Sequence, residues 1–336
     1  MFGLLLAALT RRLSMFSSIK RRLGSLALRK KAVILAYHGV NNKPLPFKIW
    51  TQIDVDRFDA HIKYLASDCN CVSLSTLVDN VRKSHIEPRT VVVTFDDGFY
   101  NNFSVAFPIL KKYNVPATIY VAAGYTGTSN MIWSEQLATT LAVTTHPTIR
   151  FEDAELSLST PDLRAHAYRQ IANSLKSLSP SDIDQRIEEY MGDCQVIPND
   201  LMYGQCYEQF RMLGWEELEE LISSGLIEIG AHTMKHAILS RLSDEEAYCE
   251  MELSKKILED RLGTIRHFAY PNGGHGDFSE VHRKMAMEIG YESVSTFISG
   301  TVSRISDVFE LQRFGLGSDS TVEAIDYFMR GGALLV

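Results

Sequence analysis

Two acids, Asp96 and Asp97, stand side by side at the end of the apolar run 91–95 (VVVTF) and are followed by Gly98. Adjacent carboxylates repel, so such a pair keeps a proton unless a cation lies near it. Alone, Asp-Asp-Gly reads most simply as a solvated turn. A second cluster changes the weighing. His232 and His236 are separated by Thr-Met-Lys, a spacing that stacks two imidazoles on one face if the segment is a helical turn. Both clusters follow apolar runs that read as strands, and parallel α/β folds place their sites at C-terminal strand ends. One aspartate and two histidines make a three-ligand set with positions left open, the pattern of a catalytic rather than a structural metal centre. Neighbouring residues of a strand point to opposite sides, so one acid can face the metal while the other lies beside it.

The elements that must position these groups alternate. Residues 32–37 (AVILAY), 91–95, 117–122, 226–230, 267–270 and 293–296 read as buried strands, and 71–74 as a short one. Helical spacing covers 54–67, 75–83 with Ser75 as its cap, 101–113, 215–224, 243–262 and 279–289. Ser243 and Glu246 have capping-box spacing, and Gly263 ends that helix. Strands alternating with helices imply parallel βαβ units. Between about 130 and 210 the alternation breaks down into helical stretches at 135–142, 162–178 and 181–190 joined by polar loops, read as a mostly helical insertion that covers one face.

The charge is divided. The chain carries 34 Lys and Arg against 41 Asp and Glu. Eight of the basic residues fall within residues 1–31, where there is no acid, so the body holds 26 against 41. An acidic body argues against nucleic acid as a partner. The basic head has two open readings, an amphipathic helix on an anionic membrane surface or a disordered tail. Its apolar run, residues 2–9, is far too short to span a bilayer, and it makes a poor signal peptide. Five cysteines without paired CxxC spacing suggest reduced thiols in a cytoplasmic protein, with a peripheral place on the inner membrane face as the extension of that reading.

TFDDG, HTMKH and FAYPNGG, in that order, resemble the polysaccharide deacetylase family (NodB-homology domain, carbohydrate esterase family four), in its FAYP-type branch. The resemblance runs over residues 32–314 outside the insertion. It implies a distorted (β/α)7 barrel, with 32–336 as one catalytic domain. The implied activity is metal-dependent removal of an N-acyl group, N-acetyl first, from a sugar in a polysaccharide, with zinc the first expectation; the basic head extends the expected substrate to a lipid-linked glycan. It also implies that Asp97, His232 and His236 bind the metal and that Asp96 is the base. The loop 270–273, through Tyr270 and Asn272, is implied as the oxyanion donor.

Two family features are missing. Ala269 stands where the family has an Arg that steadies the base, so Arg313 becomes the candidate, weighed against a plain surface Arg. The family's C-terminal Leu-x-His acid is absent, because no His follows His282. His38, in Tyr37-His38-Gly39-Val40, is then the preferred acid, with His275 in reserve. Leu311 is expected to line the acyl pocket, and Trp133 and Tyr270 are candidates to stack on sugar. Two rivals stay open at this point: a deformylase or amidase acting on a small amide, and an inactive glycan-binding module.

Overall fold

The computed structural model describes residues 31–203 and 206–331. Seven parallel strands close into a ring. In chain order they are β1 (Lys31–Tyr37), β2 (Thr90–Phe95), β3 (Ala117–Val121), β4 (Ile227–Ala231), β5 (His267–Ala269), β6 (Ser293–Ser295) and β7 (Phe314–Gly315). Val33 pairs with Val91, Val93 with Ala117, Ala117 with Ile227, Ala231 with Phe268, and His267 with Ser293. The circuit closes because Leu311 bridges to Ser295 while Phe314 pairs with Leu35. This is the distorted (β/α)7 barrel expected from the sequence; the distortion lies in the very short β5, β6 and β7.

Side chains alternate along each strand, and that alternation sorts the core. Val33, Leu35 and Tyr37 of β1, with Val91, Val93 and Phe95 of β2, pack outward against the helices. Ile34, Val92, Tyr120, Ala269 and Leu311 belong to a separate cluster, which also takes in Leu74, Leu77 and Val81. Gly230 makes room for the Tyr120 ring, since a Cβ there would sit 2.5 Å from it. The Tyr120 hydroxyl bonds to Ser295 Oγ at 2.8 Å, tying β3 to β6 across the barrel.

The helices fall close to their expected places, with two differences. The helix Leu74–Arg82 is capped by Ser73, whose hydroxyl accepts from Thr76 N, and not by Ser75. Ser75 lies inside the helix, where its N–H donates to Glu228 and its hydroxyl meets His267. The helix expected from residue 101 opens as a wide π turn, Asn102–Ala106, before Phe107–Tyr113 turns regular. Ser243 and Glu246 form the expected capping box.

Within 130–210 the helices Trp133–Val143, Pro161–Leu175 and Pro180–Asp193 are joined by a hairpin, Thr148–Phe151 with Ala154–Ser157, where polar loops were expected. Four-residue strands with mixed charge carry too little alternation to be read. This region builds a second core from Leu137, Ile171 and Ile187, which takes in Phe99 and Ala122 from the ends of β2 and β3. Apart from Lys31, the basic head lies outside the described residues. Among the described residues no helix is long and apolar enough to cross a membrane. Cys69, Cys71, Cys194 and Cys249 are free thiols.

His61, on the helix Val55–Asp68, is fully buried. Its Nδ1 meets the Tyr37 hydroxyl and its Nε2 meets the Ser320 carbonyl, both at 3.1 Å. A carbonyl only accepts, so Nε2 carries a proton, while the Tyr37 hydroxyl can meet Nδ1 in either role. Burial pushes its pKa down to about 4. The unfolded chain takes up a proton near pH 6.5 that the native ring refuses. The stabilisation is therefore complete above pH 6.5 and is lost as pH falls toward 4, by roughly 3 kcal/mol. Urea unfolding between pH 7 and pH 4 should show His61→Gln losing less stability than wild type, by about 2–3 kcal/mol; parallel losses would contradict the assignment.

Candidate active site

The inward column of each strand runs on past its C-terminal end. Ile34 leads by alternation to His38, Val92 and Thr94 to Asp96, Gly230 to His232, Ser295 to Phe297, and Leu311 to Arg313. Asp97 should point the other way. Instead its backbone is left-handed, with φ 77°, and the turn brings its carboxylate to the same mouth. The two neighbouring acids therefore share one site by different means, one by strand alternation and one by a backbone reversal.

Asp96 is 2% exposed and Arg313 is 0% exposed. The guanidinium grips the carboxylate with two bonds, Nη1 to Oδ1 at 2.7 Å and Nη2 to Oδ2 at 2.8 Å. Arg313 is itself held by Thr94 Oγ1 at 3.1 Å and by the Thr296 carbonyl at 2.8 Å. Burial alone would raise the Asp96 pKa, but the adjoining Arg313 charge, with His232 behind it, holds it below the ordinary range. Ala269, at the position where an Arg was missed, is fully buried, and its carbonyl pairs with His232. The cation beside Asp96 comes from the approach to β7 instead.

Asp97, His232 and His236 each turn one ligand atom toward the others, all within 4.8 Å of one another. His232 Nδ1 lies 2.8 Å from the Ala269 carbonyl, so that nitrogen carries the proton. Its Nε2 lone pair then faces Asp97 Oδ1 at 3.5 Å. His236 Nε2 is 3.1 Å from the same oxygen. Asp97 Oδ1 is buried and has no hydrogen bond. An unpartnered buried carboxylate oxygen facing two imidazole nitrogens fits a divalent cation with mixed N and O ligands.

The segment that carries the histidines is not the helical turn expected from their spacing. Thr233 and His236 have φ of 62° and 55°. The turn is pinned from outside. Glu250, on the helix Asp244–Leu262, accepts from Met234 N and Lys235 N at 2.9 Å each. Ala123 N and Gly124 N donate to the Thr233 and Met234 carbonyls.

His38 is buried, its ring edge-on to Trp50 at 5.2 Å and near Phe297 at 5.7 Å. Burial lowers its pKa, and the Asp97 and Asp96 charges pull it partly back. Tyr270 cannot offer its ring to a sugar. It is stacked on Phe278 at 4.2 Å, and its N–H donates to the Ser295 carbonyl. Gly273 N is also engaged, and Pro271 has no N–H. Among the described residues this leaves Asn272 N as the loop's unpaired amide, on a backbone with φ 59°. Leu311 is fully buried in the cluster it shares with Ile34 and Val92. Trp133 is part of the second core, and His275 is exposed.

The sequence reading passed over Trp50, Phe297 and Glu135. Trp50 sits in a loop with no periodicity, and Phe297 follows a strand too short to carry a pattern. Glu135 is buried on the helix Trp133–Val143, where burial and the Asp97 charge push its pKa up to about 8. Nothing in the neighbouring residues announces it.

Residues 83–294, well over half of the chain, match the family model described as polysaccharide deacetylase. In sequence the chain is 33% identical over 79 residues to the poly-beta-1,6-N-acetyl-D-glucosamine N-deacetylase of Staphylococcus aureus, covering 23% of this chain and 27% of that protein. The chain spans little more than a third of the curated relatives it matches at most, 37% and 27% of their lengths. In fold it is similar to the Streptococcus pyogenes deacetylase PplD in complex with acetate, at 18% identity and TM-score 0.57, covering 89% of this chain and 98% of that one. It is also similar to IcaB from Ammonifex degensii, at 19% identity and TM-score 0.58, covering 90% and 98%. These two likenesses establish the barrel and nothing finer. Members of the matched family use a divalent metal and act on carbon–nitrogen bonds in carbohydrates. The chain belongs to the polysaccharide deacetylase family.

Proposed function

We propose that this protein hydrolyses an N-acyl group, N-acetyl first, from a sugar residue of a polysaccharide or lipid-linked glycan, with zinc held by Asp97, His232 and His236. The observation that carries this reading is the buried Asp96–Arg313 pair set beside the convergent three-ligand cluster. A divalent cation there supplies Lewis-acid chemistry, acidifying a water and polarising the acyl carbonyl.

The rest falls to side chains of this chain. Asp96 stays ionised because Arg313 holds it so, and each of its oxygens keeps a second lone pair to accept the proton of the attacking water. Arg313 also fixes the plane of that carboxylate. Asn272 N–H is the loop donor left to meet negative charge on the acyl oxygen. His38 gives a proton to the departing amine. One C–O bond forms and the C–N bond breaks, yielding a carboxylic acid and an amino sugar.

Asp96→Asn should lower acetate release from N-acetylated oligosaccharides by at least about 100-fold without removing bound metal. Release at the wild-type rate would eliminate Asp96 as the base, and formate release from N-formylated sugars with no acetate release from the N-acetylated ones would replace the acetyl assignment. Arg313→Met should destabilise the protein by about 3–5 kcal/mol, because it strands a buried carboxylate. Combining it with Asp96→Asn should recover part of that loss in a thermal-unfolding cycle. Strictly additive losses would mean that the two side chains do not depend on one another.

A further inference from the structure

Trp50 is 46% exposed, yet its ring and its backbone both have defined contacts. Its ring meets His38 edge-on at 5.2 Å and Phe297 at 5.8 Å, with interplanar angles of 75° and 71°. Its carbonyl accepts from Ser318 N at 3.0 Å. The chain after β7 lies so close that a Cβ on Gly317 would fall 2.0 Å from that carbonyl. Phe297 in turn lies under the Arg313 guanidinium at 5.5 Å. A continuous set of contacts thus runs from the proposed base, through Arg313 and Phe297, to Trp50 and the proposed acid. Trp50 is the outermost member and the exposed one.

The position follows from the chemistry. To protonate the leaving amine, His38 must come within about 3 Å of that nitrogen. In an N-acylated amino sugar this nitrogen is one bond from a ring carbon. The pyranose ring must then lie beside His38, at the distance where Trp50 stands. One face of a pyranose carries axial C–H groups and is apolar, and the negative face of an indole attracts such hydrogens. The indole already rests against two rings, so the side-chain freedom lost when a sugar ring settles on it is reduced. Solvent exposure of so large an apolar ring beside a reaction centre otherwise has no counterpart in the packing.

We propose that Trp50 is the specificity face of the site, on which the pyranose ring bearing the acyl group stacks, so that the protein selects an acyl group carried by a sugar ring over one carried by a small non-sugar group. This rests on the deacylase reading and gives it a substrate discriminator.

The test uses the zinc-loaded full chain and its Trp50→Ala and Trp50→Phe variants, with N-acetylchitopentaose and 4-nitrophenyl acetate as substrates. For Trp50→Ala, kcat/KM should fall about tenfold more on the pentasaccharide than on the ester, mainly through KM. Trp50→Phe should recover most of the difference. Equal losses on both substrates, or a displaced pH–rate profile, would mean that Trp50 only props His38, and would overturn the proposal. No loss on either substrate would overturn it as well.

A binding measurement separates this from failure of the deacylase reading. The chain has three tryptophans, Trp50, Trp133 and Trp215. Titration with N-acetylchitopentaose should change the emission of wild type and not that of Trp50→Phe, whether or not the sugar is turned over. If the sugar is never deacylated but the emission change vanishes with Trp50, the stacking face stands and the hydrolysis does not. Calorimetric affinity that is the same in wild type and Trp50→Ala would refute the stacking face on its own.

Discussion

Three atoms, Asp97 Oδ1 and the Nε2 atoms of His232 and His236, are turned on a single point at the mouth of the barrel. A buried carboxylate needs a positive charge or hydrogen-bond donors close to it. The backbone around them is also held in sparsely populated conformations. Asp97, Thr233, His236 and Asn272 all have positive φ, each at about 1–3 kcal/mol. Thr233, branched at Cβ, is the least tolerant of the four. Such strain persists only where the surroundings over-determine it. Here Glu250 grips the histidine turn from the long helix, and Val121 at the end of β3, with Ala123 and Gly124 just after it, grips it from the barrel.

The same mouth must keep two neighbouring carboxylates apart in role. Strand alternation and one left-handed residue give them different partners. Asp96 faces a guanidinium that is wholly buried, and Asp97 faces the imidazoles. The ion pair does not stand as a simple source of stability, because desolvating both charges offsets most of their attraction. Its effect is geometric. Two parallel bonds fix the plane of the Asp96 carboxylate and keep it charged. The fold supplies this cation from the approach to β7, while Ala269 occupies the place where the family resemblance led one to look for an arginine. The helical region around 130–210 closes in from the other side, bringing buried Glu135 close enough to feel the Asp97 charge.

Much of the barrel was legible because buried parallel strands such as AVILAY and VVVTF are nearly continuous apolar runs. Ring closure was not, since the two residues Phe314–Gly315 carry no periodicity and are defined only by their partners. Asp96, Asp97, His232 and His236 announced themselves as polar groups at strand ends. Their spacing misled on one point: HxxxH suggested a helical turn, and Glu250, distant in sequence, imposes a strained one instead. Arg313 could be named only by asking which cation remained for Asp96. Trp50 and Glu135 escaped because exposure beside a site, or burial of a lone acid in an apolar helix, is decided by tertiary packing alone.

The central claim is that a cation completes the cluster of Asp97, His232 and His236. Anomalous diffraction at the zinc edge from crystals of the zinc-loaded protein tests it most directly. The account predicts one peak per chain, about 2.0–2.2 Å from a carboxylate oxygen of Asp97 and from Nε2 of both histidines. Zinc bound stoichiometrically elsewhere, with no peak between these three side chains, would contradict it.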